Sequence, residues 1–151
     1  MSAGLGFLAD SVKITKLANE TAAGTSAINS AVVDMAGYDG CLFLTNAGAI
    51  TAGGVQSLKV QQDTVVGMGA AADLLGTGIT VADDDDNQAF WLDVKRPRER
   101  FLRLVILRAT QNSAWGPIWA IQYRGRALPA INNVTDTITG EKHESPIEGT
   151  A

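Results

Sequence analysis

The stretch Val81–Ala109, VADDDDNQAFWLDVKRPRERFLRLVILRA, decides the fold class. It holds two apolar runs of strand length, AFWLDV and FLRLVIL, with four aspartates ahead of the first and a basic cluster between them. The second run is apolar at nearly every position, so periodicity does not separate strand from helix there. Its flanks do. Pro97 stands upstream, TQNS downstream, and β-branched Val105 and Ile106 lie inside, which predicts a central strand covered on both faces.

Runs of the same length recur outward from this stretch: SVKITKL, SAVVDM, CLFLTN, VQSLKVQQ, GITVA and PIWAIQYRG. Val12, Ile14 and Leu17 are apolar around Lys13 and Lys16, and Leu58 and Val60 alternate with Lys59 and Gln61. Such alternation marks strands with one wet face. GYDG at 37–40 separates two runs and predicts a hairpin turn, because glycine permits the positive φ of a tight reversal. Eight short strands joined by glycine- and aspartate-rich turns predict an all-β fold, an antiparallel β-sandwich or jelly-roll-like body. A doubly wound sheet would need regular helical crossovers instead. The best helix candidate is Ala70–Leu75, with Gly76 as its C-terminal cap.

Length and composition set further bounds. A chain of 151 residues fits one domain with a single core. It is 46% hydrophobic and 19% charged, lighter in charge than the roughly 25% of a typical soluble domain, so part of its surface is expected to be covered by a partner. The net charge of −4 argues against direct nucleic-acid binding, which needs excess lysine and arginine to displace counterions. No apolar run approaches the roughly 18 residues of a membrane span, and MSAGLGFLADSVK lacks a basic n-region, so neither secretion nor a membrane is expected. Cys41, alone in CLFLTN, excludes an internal disulfide and reads as a buried small hydrophobe, as suits synthesis in a reducing cytoplasm.

The domain reading follows from large apolar residues. Residues 1–30 form an N-terminal arm with the first strand, 31–129 the sandwich body, and 130–151 an extended tail. ANETAAGTSAINS and the region after Pro129 are small and polar, so neither buries enough area to offset its own ordering entropy, and both are expected to order against a neighbour.

The charged clusters do not add up to a reaction. Asp83–Asp86 suggest calcium, but Gln88 stands where an EF-hand loop needs glycine and Val94 where it needs glutamate, so a solvated loop is expected. Lys95, Arg96, Arg98 and Arg100 are interrupted by Pro97 and Glu99 and lack a glycine-rich loop. They read as a strand corner, with Arg96, Arg98 and Arg100 as interface candidates through bidentate pairing with carboxylates. Acids and arginines flank QAFWLDV at opposite ends, nearly 20 Å apart at about 3.3 Å per residue, so they pair between subunits or not at all. GMGAAA from Gly67 has the outline of a dinucleotide fingerprint without its strand and long helix. His143, the one histidine, lies in the polar tail without the rigid pocket that catalysis needs. Trp91, Trp115 and Trp119 fill a core or an interface, and Trp115 and Trp119 are taken as interface candidates. No catalytic residue, cofactor or metal is expected.

Several segments carry a family likeness: DMAGYDGCLFL, AITAGGVQSLKVQQ, DLLGTGITVADDDDN, VKRPRERFLRLVILRATQNS and HESPIEGTA. Over Ala31–Ala151 the chain resembles a family of short structural proteins encoded by tailed bacteriophages and prophages near their head genes. The resemblance implies a virion component, a head decoration or cement protein on the capsid's outer surface, bound to the major capsid protein and acting as a homo-oligomer, trimer or dimer. A tail or neck component of the same phage is the alternative. A glycan hydrolase using carboxylates of ADDDDN is a distant one, since adjacent aspartates in a polar loop lack the spacing and apolar pocket of a glycosidase pair.

Overall fold

The computed structural model describes residues 6–132 and 137–151. A single helical turn, α1 (Leu8–Ser11), precedes twelve strands among the described residues. They are β1 (Val12–Ala18), β2 (Thr21–Gly24), β3 (Ile28–Asn29), β4 (Val33–Asp34), β5 (Gly40–Ile50) and β6 (Val55–Asp63), followed by β7 (Ala72–Asp73), β8 (Ile79–Val81), β9 (Ala89–Lys95), β10 (Phe101–Ala109), β11 (Ser113–Trp115) and β12 (Ile118–Tyr123). Every pairing is antiparallel. The chain is all-β, as its strand-length runs predict.

Four pairs of short strands act as single interrupted ones. β1 and β2 run along β12 and β11, with Ala18 opposite Ile118 and Thr21 opposite Trp115. β11 and β12 together line one side of β5. β3 and β4 both lie on β10, and β7 and β8 both lie on β6. The first sheet therefore reads β1/β2, β12/β11, β5, β9, and the second β3/β4, β10, β6, β8/β7. Numbered one to eight along the chain, the merged strands fall in the orders 1-8-3-6 and 2-7-4-5, which is jelly-roll connectivity.

Alternation builds the core between the sheets. Cys41 and Phe43 of β5, Ile118 and Ala120 of β12, Leu58 and Val60 of β6, and Leu102, Leu104 and Ile106 of β10 point into it. Burial pushes the Cys41 thiol up to about 12, so it behaves as the small hydrophobe its context suggests.

Four local expectations are corrected. Gly37 does take a positive φ of 87°, and the Tyr38 N–H donates to the Met35 carbonyl at 3.0 Å. The GYDG turn is nonetheless no hairpin, because β4 before it pairs in the second sheet and β5 after it in the first. Ala70–Leu75 forms no helix. The Asp63 carboxylate accepts the Ala70 N–H at 2.8 Å and the Val65 N–H at 3.2 Å, and Ala72–Asp73 then pairs with Gln61 and Gln62. A six-residue helix would not offset its nucleation cost against these bonds. Gly76 keeps its positive φ, 80°, in the turn after β7.

β10 is the central strand expected, between β3/β4 and β6, but only its inner face is fully covered: Leu102, Leu104, Ile106 and Arg108 are buried, whereas on the outer face Val105 alone is buried and Phe101, Arg103 and Leu107 meet solvent. A two-layer sandwich has no third layer to cover them. Finally, much of the segment 19–30, read as part of an arm, is built into the sheets through β2 and β3. Ile28 is in the core, and Ser30 exchanges two bonds with Leu104, its N–H to the Leu104 carbonyl and the Leu104 N–H to its Oγ, both at 2.9 Å. Hydrogen bonds order these small residues where apolar area would not. Residues 1–5 of the expected arm and 133–136 of the expected tail lie outside the described residues.

Candidate interaction surface

The basic cluster connects β9 to β10 at one end of the sandwich. Arg96 leaves β9 with a φ of +53°, and its N–H donates to the Asp39 carbonyl at 2.6 Å. Arg100 forms a two-pronged pair with Asp34, Nε to Oδ1 at 2.8 Å and Nη2 to Oδ2 at 2.9 Å. That pairing, with the Ala36 N–H, lowers the Asp34 pKa to about 2. Arg126 Nη2 donates to Asp39 Oδ1 at 3.0 Å. Residues 35–39, 96–100 and Arg126 enclose a cleft of about 550 Å3. The three candidate arginines thus divide. Arg100 is committed within its own chain, while Arg96 and Arg98 are exposed and form no ion pair among the described residues. Asp39 and Arg126 complete the cleft from distant stretches, with Asp34 holding Arg100 beside it, and no local pattern announces them.

Asp83–Asp86 lie at the opposite end, between β8 and β9. Asp83 Oδ2 accepts the Gly53 N–H at 3.0 Å, and Asp85 Oδ2 accepts the Ala82 N–H at 2.8 Å. Asp86 Oδ2 lies 3.4 Å from the Ile50 N–H. These carboxylates tie the β8–β9 crossing to the β5–β6 turn, and Asn87 completes it with a φ of +59°. Among the described residues no cluster of three His, Cys, Asp or Glu side chains is arranged to hold a metal. The glycines of GMGAAA lie in the loop closed by Asp63, so no nucleotide turn forms there.

The tryptophans separate by face. Trp115, an interface candidate from its sequence, is a core residue instead. It is 2% exposed, donates from Nε1 to Ser113 Oγ at 3.0 Å, and meets Phe90 with ring centroids 5.7 Å apart. Its strand parity turns it inward, a matter that register decides. Trp119 and Trp91 lie on the outer face of the first sheet, on either side of Leu44, which pairs with both. Lys16 Nζ lies 5.7 Å from the Trp119 ring centroid, and Ile14, Ile121 and Leu42 form the next row. The face is therefore an apolar band ending at Trp91, which is 62% exposed. Below it, Tyr123 lies over Gly40 and donates to Asp93 Oδ1 at 2.6 Å. Burial first, then Asp93, raises its pKa to about 12.

The tail starts along the β1 side of this band. Asn132 Oδ1 accepts the Ile14 N–H at 2.8 Å, and its Nδ2 donates to the Ala9 and Val12 carbonyls at 2.8 and 3.1 Å. Lys142 Nζ reaches Asp10 at 2.8 Å. A hollow of about 600 Å3 lies between these residues, Ile14 and Trp119. Beyond Lys142 every residue is exposed, Ile147 at 94%. His143 lies in the open tail, its Nε2 2.8 Å from Glu141 Oε2.

No family model matches the chain, and no curated protein does. Among solved structures, the chain is similar to one described as "Bacillus endospore appendages form a novel family of disulfide-linked pili". The two share 15% identity over 82% of this chain and 95% of that one, with a TM-score of 0.48. A likeness of that extent carries no argument about function.

Proposed function

We propose that this chain is a structural virion protein that decorates and stabilises the head of a tailed phage, seated on the outer surface of its major capsid protein. The observation that supports this reading best is the apolar band Trp119–Leu44–Trp91 on the outer face of the first sheet. A monomer gains nothing from holding a tryptophan in water, whereas an aromatic anchor on a rigid sheet suits a protein contact. The exposed tail beyond Lys142 offers a second attachment, and linked weak contacts raise occupancy well beyond either alone. The resemblance of residues 31–151 to phage head-region proteins supports the major capsid protein as the partner. The reading assigns the chain no catalytic residue.

Cryo-electron microscopy of the particle tests it. Hundreds of copies on the head lattice, with Trp91 against the major capsid protein, are expected. A few copies at a single vertex would make it a neck or tail component, and absence from purified particles would overturn the reading. Trp91→Ser should strip the protein from heads without lowering its melting temperature.

A further inference from the structure

The two ends of the sandwich carry opposite charge. Turns 51–54, 82–88 and 110–112 meet at one end, and their only charged residues are Asp83, Asp84, Asp85 and Asp86. Segments 35–39, 96–100 and 124–126 meet at the other, with Arg96, Arg98, Arg100, Arg124 and Arg126 against Asp39 and Glu99, and with Asp34 beside them. β9 runs from the acidic end to the basic one, so roughly 20 Å of strand keeps the two apart within one molecule.

Neither end exhausts its charge internally. Asp34 and Asp39 engage Arg100 and Arg126, which leaves the forks of Arg96 and Arg98 facing solvent at the cleft. At the acidic end Asp83, Asp85 and Asp86 each use one oxygen on a backbone N–H, and the exposed Asp84 carboxylate makes no hydrogen bond among the described residues. One end is thus a concave site with unspent guanidinium donors, and the other a projecting loop with unspent carboxylate oxygens. Arginine and carboxylate match in plane and spacing.

We propose that a second copy of this chain docks head to tail, its Asp83–Asp86 loop entering the cleft between residues 35–39 and 96–100 of the first and pairing with Arg96 and Arg98. Such a contact is heterologous. Each molecule keeps one acidic and one basic end, so the copies close into a ring or continue as a chain according to the rotation between them. The inference goes beyond the virion reading and holds for the isolated protein, so particle occupancy neither supports nor harms it.

The heterologous geometry supplies its own test. Two variants of the full chain, Arg96→Gln/Arg98→Gln and Asp84→Asn/Asp86→Asn, are compared with the parent by analytical ultracentrifugation at about 0.1 M and about 1 M salt, with melting curves as a folding control. The parent should self-associate, less so at the higher salt. Each variant alone should associate at least about tenfold more weakly. An equimolar mixture should form dimers and nothing larger, because one intact loop meets one intact cleft and both free ends are dead. Should either double variant melt early, Arg98→Gln and Asp84→Asn alone serve the same design. A monomeric parent, association indifferent to both variants, or a mixture that does not dimerise would overturn the proposal.

Discussion

Arg108 and Arg100 stand at the two ends of β10 and are held in opposite ways. Arg108, at the acidic end, points inward, is 8% exposed, and has no carboxylate partner among the described residues. Its Nε donates to the Ser26 carbonyl at 2.6 Å, and its Nη1 to the carbonyls of Ala22 and Ser113 at 3.0 and 2.6 Å. Burial lowers its pKa from the ordinary arginine value, yet an arginine stays charged. Three peptide dipoles therefore do the work of a counterion, and they join the loop after β2, the start of β11 and β10 into one unit. Beside it Gln56 accepts from Ser113 Oγ at 2.9 Å, which in turn accepts from Trp115, so the interior of this end is a satisfied polar network. Arg100, at the basic end, lies outside the core and grips one carboxylate in water. The acidic end is thus locked from within by an arginine, and the basic end is closed on its surface by two ion pairs. The buried arginine ties three segments together from inside, and the exposed one clasps two segments from outside.

The strongest way to break this contrast is Arg108→Met, which keeps the length and removes the donors. The buried Ser113 carbonyl and the part-buried carbonyls of Ala22 and Ser26 lose their partner, so the loss should be on the order of 3 kcal/mol, read as a fall in the urea midpoint. A variant as stable as the parent would show that the interior lock is unnecessary. Gly40→Ala probes whether packing matters at the basic end. A β-carbon there meets the Tyr123 ring, so the ring must leave and its bond to Asp93 break, at a cost of about 1–3 kcal/mol by the same measurement.

Asp34→Asn should cost less, no more than about 1 kcal/mol, since the side chains of Asp34 and Arg100 are 47% and 58% exposed and water screens the pair. Its signature is a pH dependence. The Asp34 pKa is lowered from 3.8 to about 2, so the folded state holds the ionised form more tightly than the unfolded chain does. That stability is fully present above about pH 4 and is lost as the pH falls toward 2. The difference in melting temperature between parent and Asp34→Asn should shrink across that window and vanish below it. A constant difference would place the effect elsewhere. Smallest of all, Arg98→Ala should leave the melting temperature within error while it weakens self-association. A clear drop in melting would make Arg98 a folding residue like Arg108 and remove the distinction between the two ends.

The local signals that proved readable are those a few neighbouring residues carry. Alternation in Leu58–Gln61, the flanks of FLRLVIL, the positive φ at Gly37 and the aspartate-rich loop at 83–86 all depend on chemistry within one turn or one strand. They suffice for an all-β sandwich and for an aspartate turn. Even there, glycine in GYDG marked a reversal without saying whether the chain returned to the same sheet, and the alanines after Gly69 suggested a helix that Asp63 forestalls.

Sidedness and partnership lie beyond such signals. Trp115 and Trp119 are four residues apart in similar surroundings, and one fills the core while the other faces out, because a register shift across Gly116 and Pro117 changes which parity points inward. Arg100 finds Asp34 across 66 positions, and Arg108 finds Ser26 across 82. Composition and spacing told those two arginines apart in nothing. Only the jelly-roll path, by bringing segment 19–30 under β10 and Asp34 beside its start, made one a buried lock and the other a surface clasp, since a charge is assigned its role by the dipoles and solvent around it.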